Sequence, residues 1–322
     1  MRYQFTISPP PRPRLLAVGV GMFAAAIACA VLILACGDRR SRSAEAEAAA
    51  APAVTPSNAI PSPSEATPAV SGLVSYERAD SAFRQNRFSE AVSLFALYTA
   101  RRPENPWGHY MLGLSAWRAG DRETAEQELQ KTIALDSTHV KARLNLSRVL
   151  IETGRAKQAL DQLRAVLRLD SASTSAYRLL GRAHNAVGET GAAIDAYKHA
   201  ILLDDRDVWA MNNLALVYLE QGRFEDAVKP LARAVEVDSS TAQFHNNLGL
   251  ALERAGRYSA AASAFTAALA IDSTNVKASV SRTRVMSLKE DPSLPTVDLA
   301  ALAWRFALEV ESWRKGTVRQ AS

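Results

Sequence analysis

The chain has 322 residues, 38 basic and 33 acidic, giving a formal charge of +5. Residues 1–42 hold six arginines and one aspartate, which leaves 32 basic against 32 acidic side chains afterwards, so the basic balance argues for no nucleic-acid partner beyond that stretch. The two cysteines, Cys29 and Cys36, both lie in the same stretch, so the remainder holds neither a disulfide nor a thiolate metal site.

Residues 1–14 carry Arg2, Arg12 and Arg14 in a proline-rich run, and Leu15 to Cys36 then contains no charged residue. That run is long enough to cross a bilayer core, which needs about 20 residues. Residues 1–36 therefore read as a signal peptide or a membrane anchor. Its end, Ile33-Leu34-Ala35-Cys36, resembles the lipobox of bacterial lipoproteins, which implies lipidation of Cys36 and cleavage before it. The alternative is an uncleaved anchor in which Cys36 is an ordinary apolar residue. Either way the following residues are expected in the bacterial cell envelope, membrane-anchored on the periplasmic or extracytoplasmic side. Residues 37–71 are rich in Ala, Pro and Ser, including Pro52, Pro56, Pro61, Pro63 and Pro68, and read as a disordered tether that cannot bury enough apolar surface to fold.

Beyond residue 71 the chain repeats itself. The phrase IALDSTHVKA at 133–142 returns as LAIDSTNVKA at 269–278, four steps of 34 residues later. The same step connects Asp136, Asp170, Asp204, Asp238 and Asp272. It also gives an unbroken alanine column, Ala91, Ala125, Ala159, Ala193, Ala227 and Ala261. Five residues before these stand Asn86, Gly120, Gly154, Gly188, Gly222 and Gly256, residue types suited to the left-handed backbone that ends a helix. Four residues after them stand Phe95, Leu129, Leu163, Tyr197, Leu231 and Phe265. Twelve before them every residue is small: Ala79, Gly113, Ser147, Gly181, Ala215 and Gly249. Apolar residues between the markers recur at helical spacing, so each unit predicts two helices. Asn105, Ser173, Asp207, Thr241 and Asn275 precede the first helices as N-caps, with His139 the exception in that column.

Six uninterrupted units result, 72–105, 106–139, 140–173, 174–207, 208–241 and 242–275. Their pattern resembles the tetratricopeptide repeat (TPR), most clearly in Asn213-Leu214-Ala215, Asn247-Leu248-Gly249, GRFEDAVKPLARAVEVD (222–238) and GRYSAAASAFTAALAID (256–272). The resemblance implies an all-α fold, an α-solenoid of six tandem TPR helix pairs. Residues 276–314 are expected to form C-terminal capping helices, the last from about Asp298 to Trp313, with an apolar stripe covering the exposed end of the stack. Residues 315–322 read as a disordered tail.

The sequence offers no constellation for catalysis or metal binding. His109, His139, His184, His199 and His245 are scattered, and no His-Glu-x-x-His, Gly-x-Ser-x-Gly or phosphate loop occurs. No cofactor and no enzymatic activity is expected. The resemblance instead implies a concave groove lined by the first helices, taking a protein or peptide partner. Its candidate lining residues are Asn145, Asn213 and Asn247 at position 6, Asn212, Asn246 and Arg178 at position 5, and Arg182 at position 9. Position 2 adds Trp107, Lys141, Trp209 and Lys277. An Asn amide offers a donor and an acceptor, which suits an extended peptide backbone. The expected function is an envelope-tethered adaptor or scaffold. The alternatives are a scaffold that self-associates through Trp304 and Trp313 on the last helix, or an accessory subunit of an enzyme.

Overall fold

The structure, a computed structural model, describes residues 75–320. The readings made on residues 1–74, including Cys36 and the tether, lie outside the described residues. Among the described residues there are fourteen helices and no strand. They pair as α1 (Tyr76–Arg84) with α2 (Phe88–Arg101), α3 (Pro106–Ala119) with α4 (Arg122–Leu135), and α5 (Val140–Glu152) with α6 (Ala156–Leu169). The next pairs are α7 (Thr174–Ala186) with α8 (Thr190–Leu203), α9 (Val208–Glu220) with α10 (Phe224–Val237), and α11 (Ala242–Arg254) with α12 (Tyr258–Ile271). Then come α13 (Val276–Met286) and α14 (Leu299–Gln320).

Local chemistry explains the punctuation. Every residue of the glycine column has positive φ, and Asn86 adopts +59° in its place. Side chains of Asn105, Asp207 and Asn275 accept from the amides that open α3, α9 and α13. His139, the expected exception, caps as well: its Nδ1 accepts from Ala142 N at 3.1 Å. Ser173 and Thr241 make no side-chain cap bond. Ser75 is the cap of α1, which explains a polar residue at the start of that helix. The aspartate column ends each second helix. Each of its five carboxylates accepts from the amide two residues on, between 2.9 and 3.1 Å, and so folds the turn into the next unit.

The apolar columns form the core. All six residues of the alanine column are fully buried, and the residue four later is at most 2 % exposed. The small column lets each pair close. A Cβ placed on Gly181 would meet the Tyr197 ring at 2.6 Å, and one on Gly249 would meet the Phe265 ring at 2.7 Å. The first helices also touch the first helix of the next unit, which makes them the tighter, inner layer of the stack.

The C-terminal segment departs from expectation. α13 packs on α11 and α12 as a seventh first helix. α14 does not cover that end. It turns back and lies against α10 and α8, the second helices of units five and four. The connection, which contains Pro292 and Pro295, runs back past the start of α12. There Glu290 Oε2 accepts from Ser259 N at 2.8 Å and Pro295 O accepts from Arg257 Nη1 at 3.1 Å. Ala303, Phe306 and Val310 are buried in the outer contact. Lys229 pairs with Glu309, and the Lys198 ammonium lies 4.9 Å from the Trp313 ring centre. α14 also continues to Gln320, past the expected end at Trp313. The end of the stack is left with Val276, Val280 and Met286 exposed on α13.

Candidate functional site

The inner helices carry the residues expected to face a partner, and the structure divides them into two groups. Asn145, Asn212, Asn213 and Asn247 are all buried. They do not stand free in a groove: Asn145, Asn212 and Asn247 bond across the joints between units, and Asn213 bonds its neighbour Asn212 within α9. Asn145 Nδ2 donates to Tyr110 Oη at 3.2 Å, and Asn247 Nδ2 donates to Asn212 Oδ1 at 2.8 Å. Asn212 Nδ2 reaches Asn213 Oδ1 at 3.3 Å, and the half-buried Asn246 reaches Asn247 Oδ1 at 3.4 Å. The spacing that makes these joints is 35 residues, position 5 of one unit to position 6 of the next. Trp117 with Glu152 and Asn185 with Glu220 repeat the spacing seven residues, about two turns, further along the helices. Tyr110, Glu152 and Glu220 were not singled out from the sequence, although searching polar pairs at the period plus one would have found them.

The second group is more accessible. Trp107, Lys141 and Lys277 are exposed, Trp107 by 51 %. Trp107 is nevertheless held in place: its ring lies 5.8 Å from Tyr110 edge-on and 4.7 Å from His139. Burial beside these rings lowers the His139 pKa below its ordinary value, which keeps Nδ1 unprotonated for its capping bond. Trp209, in the same column, is half-buried against the Phe244 ring at 5.0 Å. Arg178 Nη1 donates to Asp207 Oδ1 at 3.0 Å, the same oxygen that caps α9. Arg182 is half-buried. Burial and charge therefore assign Arg178 and the asparagines to the joints first, and Trp107, Lys141 and Lys277 to the accessible inner surface.

The other histidines serve the fold. His109 sits between Glu128 and the Pro103 carbonyl, and His245 Nε2 bonds the Ser239 carbonyl at 3.0 Å. Both lie at position 4 and tie a first helix to the turn before it. Among the described residues no group of three His, Cys, Asp or Glu side chains could hold a metal ion, and no helix is long and apolar enough to cross a membrane.

An unbroken stack of helix pairs with a continuous inner layer is the architecture of a protein-interaction scaffold. Family models described as tetratricopeptide repeat match residues 116–183 and 212–276, and this is a tetratricopeptide-repeat protein. Its structure is similar to one in the crystal structure of the APC/C hetero-tetramer Cut9-Hcn1, with TM-score 0.57 and 18% identity over 65% of this chain. The match spans 41% of that longer chain. A tetratricopeptide repeat protein from Parabacteroides merdae aligns with TM-score 0.56 and 15% identity, over 66% of this chain and 82% of that one. A thermophilic TPR protein of Thermus thermophilus aligns with TM-score 0.50 and 18% identity, over 57% of this chain and all of that one. These likenesses establish the fold. No curated protein sequence matches the chain. Such repeats are typically non-catalytic scaffolds.

Proposed function

We propose that the chain is a membrane-tethered adaptor that holds an extended segment of a partner protein against its first helices. The observation that carries the reading is Trp107, a large aromatic half exposed on the inner layer yet fixed by Tyr110 and His139. Rigid aromatic anchors of this kind supply much of the binding energy at interfaces while losing little side-chain entropy. Lys141 and Lys277, also exposed at position 2, add charge along the same column. The experiment is to capture a partner with the full chain from an envelope extract and then titrate it with wild type and Trp107→Ala. Loss of about 2 kcal/mol of affinity is expected; wild-type affinity would move the binding surface elsewhere.

The tether belongs to the same proposal and rests on sequence. Cys36 is proposed as the lipidated N-terminus. An intact mass beginning at Cys36 with added lipid supports this, whereas an unmodified chain beginning at Met1 in the membrane assigns an uncleaved anchor. One observation favours a second reading, self-association through α14. Trp304 is 62 % exposed and Leu308, one turn on, is 48 % exposed. Trp313 no longer contributes, since it packs against Phe306 beneath Lys198. Sedimentation of wild type and Trp304→Ala separates the readings.

A further inference from the structure

The last first helix, α13, stands without a second helix of its own. In complete units position 8 faces that second helix: a Cβ on Gly113, Gly181 or Gly249 would strike Leu129, Tyr197 or Phe265. Position 11 lies nearly one turn further along the same side. There Ala82, Ala116, Leu150, Tyr218 and Leu252 are at most 8 % exposed, and His184 is half-buried. In α13 these two positions hold Thr283 and Met286, both exposed, Met286 by 71 %. Position 7 holds the buried Leu146, Leu214 and Leu248 in units three, five and six, but Arg282 in α13. The Arg282 Nε is buried and has no acceptor.

Charge gives this face a sign. From Val276 to Lys289 stand the cations Lys277, Arg282, Arg284 and Lys289, and no acidic residue. Arg284 is balanced by Glu253 of α11 through two bonds of 2.7 Å, which leaves the face positive. In two complete units the second helix supplies an acceptor to its first helix: Arg143 Nη1 donates to Gln162 Oε1 at 2.7 Å, and His109 meets the Glu128 carboxylate. The same polarity is prepared on α13, where Arg282 offers only donors. We propose that α13 is a docking surface for an acidic amphipathic helix of another protein, which lies where the second helix of a seventh unit would stand. Its apolar residues cover Thr283 and Met286, and one of its carboxylates accepts from Arg282 Nε. A second copy of this chain is a poorer occupant, because two α13 faces brought together would oppose their cations. The proposal does not rest on the inner-groove reading, since Arg282, Thr283 and Met286 lie on the side of α13 that pairs with a second helix.

The probe is a fluorescein-labelled, end-capped peptide with the sequence of α4 and its cap, Asp121 to Leu135. It carries Asp121, Glu123, Glu126 and Glu128 against Arg122 and Lys131, and Ala125 and Leu129 are the residues that such a helix buries. Fluorescence polarisation with the full chain in phosphatidylcholine nanodiscs should show it bound roughly tenfold more tightly than a counterpart with glutamine at 123, 126 and 128, because charge-assisted hydrogen bonds are about twice as strong as neutral ones. Met286→Ser should weaken the acidic peptide by roughly fivefold. Its melting temperature should not change, since Met286 is exposed in the chain alone. Arg282→Leu installs the residue that this column holds in other units, which protects the fold, and it should abolish the preference for glutamate. Binding of neither peptide, or wild-type affinity in Met286→Ser, overturns the docking surface. Equal affinities for the two peptides overturn the acidic partner, and a preference that survives Arg282→Leu overturns the assignment to Arg282. Amide exchange of α13 without peptide tests the other occupants. Protection that rises with protein concentration assigns a second copy, protection gained in phosphatidylglycerol discs assigns anionic lipid, and either overturns the proposal.

Discussion

His139 shows how much one residue can decide. Its imidazole caps α5 through Nδ1 and lies, tilted, against the rings of both Trp107 and Tyr110. Protonation of Nδ1 removes the cap acceptor, and burial disfavours the charge, so the folded pKa lies below the ordinary value of 6.5. Nearby Asp136 opposes the shift and Lys141 adds to it. The sign follows: the native state favours the neutral ring, while the unfolded chain takes up its proton near 6.5. Stability from this group is complete above that pH and is lost as pH falls through the folded value. His139→Asn keeps a cap acceptor and removes the titration, so melting curves between pH 7.5 and 5 should fall less for the variant than for wild type. A second residue pair tests the packing. Gly181→Ala drives a Cβ into the Tyr197 ring and should cost about 1–3 kcal/mol. Gly191→Ala, with nothing within 4 Å and a position in α8, should instead stabilise by roughly 0.5–1 kcal/mol. Denaturant midpoints of the two variants moving in the same direction would refute the assignment of the tight face.

At the scale of elements, α14 is a brace on the outer layer. Its buried stripe crosses α8 and α10, and its charges reach the same surface: Glu309 pairs with Lys229, and Lys198 lies over Trp313. The apolar contact should dominate, because Lys229 and Glu309 are both partly exposed and such pairs contribute about 0–1 kcal/mol. Phe306→Ala is expected to cost about 3–5 kcal/mol, whereas Lys229→Ala should cost under about 1 kcal/mol. Thermal melts rank the two. Lys198→Glu removes the cation from the Trp313 face and should loosen α14 without opening the helix pairs. A quenching or emission shift of Trp313 at unchanged helix content would report it. α13 ends the stack without a second helix, and its exposed valines follow from the proline-containing turn that sends α14 backwards.

At the scale of the molecule, the apolar core falls into two blocks that meet within unit four. One runs from Ala79 to Ala183, and the other from Ala193 to Val310. The joint of Arg178, Asp207 and Asn213 lies beside that meeting point. In a solenoid each unit is held mainly by its neighbours, so stability is approximately a sum of local contributions. Only the second block is braced by α14. Amide exchange should therefore be slower in α9 to α12 than in α1 to α4, and removing residues 299–322 should erase the difference. Uniform exchange in the intact chain would show that α14 carries no net stabilising contact.

The division of labour between sequence and tertiary structure follows from range. The 34-residue period, the turns after the aspartate column, the left-handed column and the buried alanines are local or one-neighbour properties. Each depends on residues within a unit at fixed spacing, so all were legible in the letters alone. The side-chain destinations were not. Asn145 and Asn213 read as groove residues because a polar side chain on a helix says nothing about the acceptor the next helix will offer. Burial came from Tyr110 and Asn212 standing 35 residues away from Asn145 and Asn247, one residue out of phase with the repeat. Likewise the stripe on α14 stated that the helix must be covered, without stating by what. The end of the stack and its outer face both offered apolar surface, and the direction of the turn, with Lys198 and Lys229 waiting on the outer helices, decided for the outer face.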